Sequence, residues 1–241
     1  MQGFRQFLIE SELTLKYHDE LNSKIWSKDQ IKDAVRQHLL KIAEQWRVTA
    51  KIPKSAIKDI LLTGGNANYN YTKFSDLDVH LLVDKKLIAD CDKEILDDYL
   101  KDKKFLWTLT HDIKIYGLPV ELYAQDISEK TSSNQGVYSL KDDRWITKPE
   151  KEKVNLADPI LKRKIASLKH TIDMFIGQKC EDVDKMNEFK EKLRKMRSAA
   201  IERGGEFSLE NLAFKELRNL GYLDKFSDYI KHFVNLSLSL G

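Results

Sequence analysis

The sequence predicts an α+β protein: a small mixed β-sheet preceded by helices and followed by a C-terminal helical bundle. Three observations predict it. Ten Gly and four Pro in 241 residues leave few breaks, so most of the chain is expected to be regular structure. Hydrophobic spacing is helical before about residue 47 and again after about 155. Between these zones the spacing switches toward period two. The expected division is a sheet-bearing domain with a helical lead over 1–150 and a helical domain over 151–241.

Residues 1–46 read as helical. Ser27-x-x-Gln30 has the form of a capping box, in which each side chain satisfies a backbone N–H at a helix start. Ile31, Val35, Leu39, Ile42 and Trp46 then fall at helical spacing, a stripe expected to face the core. In the middle zone, residues 59–63 (DILLT) read as a short buried strand ending at Gly64-Gly65. Residues 76–84 (DLDVHLLVD) alternate, with Asp76, Asp78 and His80 on one face and Leu77, Val79, Leu81 and Val83 on the other. A helix is expected over 90–103, with Ile95, Leu96, Tyr99 and Leu100 on its apolar side. Strands near 112–116 and 119–124 follow, joined by a turn at Gly117-Leu118-Pro119, and 128–136 (SEKTSSNQG) reads as an exposed loop. In the last zone Asp158-Pro159 starts a helix, since proline is tolerated at the first helical position. Leu161, Ile165, Leu168, Ile172 and Phe175 form its stripe and Gly177 ends it. A second helix runs from about Val183 to Gly204-Gly205, a third from Ser208 to Gly221, and a fourth carries Phe226, Tyr229, Ile230, Phe233 and Val234.

Charge excludes several classes of function. Lys plus Arg is 41 and Asp plus Glu is 38, so a heavily charged chain is nearly balanced. That argues against a polybasic nucleic-acid coat and against an acidic disordered tail. No apolar run reaches the roughly 18 residues of a membrane span, and no secretory signal is visible, so a cytoplasmic protein is expected. Cys91 and Cys180 lack metal-type spacing and are expected to be buried, reduced thiols.

The chemistry lies in TGGNANYNYTKFSDLDVHL, residues 63–81. Alternate residues on a strand face the same way, about 7 Å apart, so Asp76 and Asp78 can converge on one site. Carboxylates that close repel unless cations lie between them. Mg²⁺ suits them, being a hard ion bound by a few carboxylates, water and phosphate oxygens. Gly64 and Gly65 would let backbone N–H groups approach a polyphosphate, and a helix starting near Asn66 would add donors. In LPVELYAQD, Glu121 points away from the apolar flanks Val120 and Leu122 and is the third acid. Two ions held by three carboxylates stabilise both the attacking and leaving oxygens of an in-line displacement at phosphorus. His80, on the same face, is a candidate to order an aspartate.

On these residues the sequence resembles the DNA polymerase β-like nucleotidyltransferase superfamily. Gly64-Gly65 match its glycine pair, Asp76 and Asp78 its paired acids, and Glu121 its third acid, with Ser75 completing the frequent form SDLD. The resemblance covers roughly residues 57–125. It implies transfer of a nucleoside monophosphate from an NTP to an acceptor hydroxyl, dependent on two Mg²⁺ (or Mn²⁺) ions, with pyrophosphate leaving. It makes Asp76, Asp78 and Glu121 the catalytic metal ligands, and Glu121 a candidate general base. GVYSLKDDRWITKP (136–149) looks like the segment after the third acid in the template-independent oligoadenylate synthetase and cGAS-like branch. There Tyr138 would stack on a base; the alternative is that Tyr138 and Trp145 pack the core. The opening FRQFL and closing ENLAFKELRNLGYLDKF look like tailed-phage proteins, which would place the activity in a host cytoplasm.

Basic residues are unevenly spread. Residues 151–241 hold 18 Lys/Arg against 14 Asp/Glu. Lys190, Arg194 and Arg197 share a helix face, so Arg194 is a candidate triphosphate ligand, as is Lys73 beside the motif; a solvated helix face is the other explanation. Acceptors compatible with the resemblance are an RNA or tRNA end, a nucleotide, a small molecule or a protein, with no membrane involved. The alternative function is an inactive nucleotide-binding or antitoxin-like interaction module on the same fold.

Overall fold

The computed structural model describes residues 12–129, 135–152 and 154–240. They form two compact units, one of Tyr17–Glu152 and one combining Met1–Lys16 with Lys153–Gly241. Among the described residues, 12–16 group with the helical unit.

The sheet unit opens differently from expectation. No helix spans the described residues before 33. Trp26–Ser27 (β1) and Gln30–Ile31 (β2) pair as an antiparallel ribbon, turning through Lys28 at φ 56°. Helix α1 then runs Asp33–Thr49 from Lys32, which provides no side-chain cap. The capping box fails because Gln30 has a tertiary partner: its Nε2 donates to Tyr138 Oη at 2.6 Å. The apolar stripe survives intact, with Val35, Leu39, Ile42 and Trp46 all buried. The helical expectation for residues 1–11 lies outside the described residues.

Strands Ile57–Thr63 (β3) and Leu77–Val83 (β4) pair antiparallel. Helix Lys93–Thr110 (α2) crosses from β4 to Leu118–Asp126 (β6), which pairs parallel to β4; Lys114–Ile115 (β5) joins β6 as a short antiparallel edge. Val137–Ser139 (β7) and Arg144–Thr147 (β8) extend the other side. The result is a mixed six-stranded sheet, ordered β5-β6-β4-β3-β7-β8. Along β4, Leu77, Val79, Leu81 and Val83 are buried while Asp78, His80 and Leu82 are half-exposed, as period two requires. The buried side merges with Leu39 and Trp46 of α1 and Leu96, Leu100 and Trp107 of α2 in one apolar cluster. Each such side chain contributes about 1.5–3 kcal/mol by leaving water. The opposite side of β4 and β6 is left for polar groups.

The C-terminal region has four helices: Pro159–Gly177 (α3), Val183–Gly204 (α4), Leu209–Asn219 (α5) and Tyr222–Leu238 (α6). Asp158 caps α3 by accepting from Ile160 N at 2.7 Å, with Pro159 at the first position. Gly205 and Gly221 take φ of 70° and 74° where the chain leaves α4 and enters α6, a conformation glycine adopts without steric cost. Thr14 is held by buried Glu216, which accepts from its N and Oγ1. Among the described residues no helix is long and apolar enough to cross a membrane. Both cysteines are free, but Cys91 is exposed and Cys180 half-buried; burial of both was expected, and Cys91 instead sits in the polar approach to α2.

Candidate metal centre

The two acids of the SDLD segment owe their position to the connection between β3 and β4. After Thr63, Gly64 adopts φ 72°, ψ −164° and Gly65–Ala67 makes one tight turn. Asn66 is wholly buried inside this connection. Its Nδ2 donates to Asp76 O at 2.7 Å and, more weakly, to Ser75 O at 3.3 Å. Its Oδ1 accepts from Asn22 and its carbonyl from Trp26 Nε1. Asn66 thus clamps the backbone at Asp76, and only the single turn Gly65–Ala67, not a longer helix, starts beside it. Ser75 is also committed to the loop: its Oγ accepts from Thr72 N at 2.9 Å.

Register then brings the acids together. Asp78 lies opposite Thr63 on β3 and opposite Glu121 on β6. Cross-strand neighbours project to the same face, so Asp78 and Glu121 stand side by side and Asp76 joins them from the residue before β4. One carboxylate oxygen from each of Asp76, Asp78 and Glu121 lies within 4.8 Å of the other two, and all three residues are half-buried. Gly64 makes this possible. A Cβ at Gly64 would fall 1.7 Å from Asp78 Oδ2, so the glycine's missing side chain is the space the aspartate occupies. At Gly65 the nearest atom to such a Cβ is Ser75 Oγ at 3.1 Å. The glycine pair therefore shapes the acid site directly.

Other residues surround this centre. Lys104 of α2 places Nζ 2.5 Å from Glu121 Oε1 and 5.7 Å from the Tyr123 ring centre. Sequence reading missed Lys104, since only the packing of α2 brings it beside β6. His80 donates from Nδ1 to Gln125 Oε1 at 2.8 Å and meets the Tyr123 ring edge-on. Burial holds its imidazole below the ordinary value; the Gln125 hydrogen bond opposes this, and the Lys104 charge reinforces it. Its ring is thus tied to Gln125. Asn68 was also missed: its Nδ2 donates to Gly64 O and its Oδ1 accepts from Gly136 N. The alternation Asn66-x-Asn68 directly after the glycine pair is the signal that marks both clamps.

The remaining candidates are placed as follows. Lys73 is exposed, its ammonium 4.9 Å from the Phe74 ring centre. Tyr138 is fully buried, edge-on to Trp26 and Trp145, and its hydroxyl donates to Asp143. A ring enclosed in this way has no face for a base, so the core-packing alternative describes it. Burial and the Asp143 contact push its phenol well above the ordinary range. Arg194, on α4, is exposed and lies 3.8 Å from Glu191.

Three carboxylates and no sulfur form a hard, oxygen-only donor set, which fits Mg²⁺ or Mn²⁺ and disfavours thiophilic metals. Comparison with protein-family models, curated proteins and solved structures finds no match to this chain.

Proposed function

We propose that this chain is a divalent-cation-dependent nucleotidyltransferase that moves a nucleoside monophosphate from an NTP to an acceptor hydroxyl. The observation that carries the reading is the convergence of Asp76, Asp78 and Glu121 within 4.8 Å, with Asp78 and Glu121 paired across β4 and β6 and Asp76 immediately before β4. The space at Gly64, filled by the Asp78 carboxylate, supports it. Asp76, Asp78 and Glu121 are the residues that would hold two Mg²⁺ or Mn²⁺ ions. Such ions supply electrostatic stabilisation of the attacking and leaving oxygens at the α-phosphorus. The chain's own part is to preorganise these ligands: Asn66 fixes the backbone at Asp76, the β4–β6 ladder fixes Asp78 against Glu121, and Gly64 leaves room. Glu121 is the carboxylate assigned to accept the acceptor's proton. Lys73 is the exposed ammonium of the β3–β4 connection available to a phosphate. The two free thiols fit a reducing, cytoplasmic setting.

The test is product mass spectrometry. Each NTP is incubated with Mg²⁺, the protein and a pool of tRNA, nucleotide, small-molecule and protein acceptors. A metal-dependent acceptor adduct of one or more nucleoside monophosphates is expected, absent for Asp76→Ala and Asp78→Ala. Adducts that persist in both variants would refute the assignment.

A further inference from the structure

A lysine ammonium stands against the third carboxylate. Lys104 extends from α2 to place Nζ 2.5 Å from Glu121 Oε1, passing the Tyr123 ring. Its position is built in. Leu100, one turn earlier on α2, is buried in the core of the sheet unit, which fixes this stretch of helix against the sheet. The Lys104 side chain is only 30% exposed and that of Glu121 41%, so the pair is more sheltered than the unit's fully solvated ion pairs, such as Lys101–Asp98. An ammonium in contact with a carboxylate repels a divalent cation brought onto the same carboxylate, whichever of its two oxygens each takes.

We propose that Lys104 is a built-in counter-cation of Glu121, and that a divalent cation gains the full three-carboxylate set only by exchange with it. Cation binding and release of Lys104 are then one event. This rests on the metal-centre reading above. Lys104 acts here as a positioning residue. It holds Glu121 while the acids carry no ion, and it lowers the intrinsic affinity of the site by the cost of separating the pair.

The test uses the full chain and Mn²⁺ alone, with free Mn²⁺ followed by electron paramagnetic resonance. Lys104→Met is expected to bind Mn²⁺ on the order of tenfold more tightly than the parent, the scale of one unit charge removed beside a partly solvated divalent ion. Lys104→Arg keeps the charge and is expected to stay near the parent value. A second measurement needs no variant: limited acetylation of the parent, read by mass spectrometry, with and without saturating Mn²⁺. Lys104 is expected to acetylate several-fold faster once Mn²⁺ is bound, because its ammonium has left Glu121. Parent-like or weaker affinity in Lys104→Met overturns the proposal, as does unchanged acetylation of Lys104 in parent protein shown to have bound Mn²⁺. Absence of Mn²⁺ binding in the parent, Lys104→Met and an Asp78→Asn control alike would overturn the metal-centre reading itself, and this proposal with it.

Discussion

At the residue scale, Gly64 carries the most information per atom. Its φ of 72° and ψ of −164° lie in a region essentially reserved for glycine, and its absent Cβ is where Asp78 Oδ2 sits. Gly64→Ala is expected to cost about 1–3 kcal/mol in backbone strain alone and to abolish cation binding by displacing Asp78. Urea denaturation and a Mn²⁺ titration check both, and parent-like binding in a folded Gly64→Ala would contradict the geometry. Asn66→Ala leaves the Asp76 carbonyl and the buried side-chain amide of Asn22 short of a hydrogen bond. A loss of about 1–3 kcal/mol per unsatisfied group is expected. A midpoint shift within error of the parent would show that water replaces the amide. The acids themselves were legible in the sequence, because period two and the SDLD spacing are local. What Asn66 does was not legible, because its partners Asn22 and Trp26 lie far along the chain, and distance also left Tyr138 open between base stacking and core packing, since Trp26 and Gln30 enclose it.

At the scale of elements, the sheet unit carries its own pH dependence at the end of β6. Burial would raise the Asp126 carboxyl, but hydrogen bonds from Ser128 Oγ and N and from Lys85 N outweigh it and hold the group below the ordinary carboxylate value. A carboxyl depressed by folding contributes stability above its unfolded pKa and loses it as pH falls through the folded value. Asp126→Asn should therefore be less stable than the parent near neutrality, with the gap closing as the solution is acidified below pH ~4. A gap that widens on acidification would contradict this sign. The helices of the C-terminal region were readable almost to their ends, because Asp158-Pro159, Gly205 and Gly221 are start and stop signals that act within one turn. The Ser27–Gln30 signal has the same form yet marks a β-ribbon, since Gln30 finds Tyr138 and α1 begins uncapped at Asp33. Strands β7 and β8 escaped notice for another reason. They are three and four residues long, too short for alternation to register, and their turn depends on Asp143 at φ 56°.

At the scale of the whole molecule, near-neutral charge conceals an uneven distribution. The basic excess of residues 151–241 lies in the helical unit, where part of it is already used within the unit. Lys164 pairs with Glu210, Lys225 with Asp173, and Lys215 with Glu206. Arg197 donates to Asn211 and stacks on Phe214. The sheet unit places Asp76, Asp78 and Glu121 together, with the apolar core on the opposite side of the sheet. Nucleotide transfer at this face is the function we propose. It is tested most directly by pyrophosphate release from each NTP, with and without Mg²⁺ or Mn²⁺, in the parent, Asp76→Ala and Asp78→Ala. Metal-dependent release from at least one NTP is expected, reduced at least ~100-fold in either variant, the order of loss expected when an electrostatic stabiliser of the transition state is removed. Release that survives both substitutions, or no metal-dependent release from any NTP with the full acceptor pool present, would contradict it.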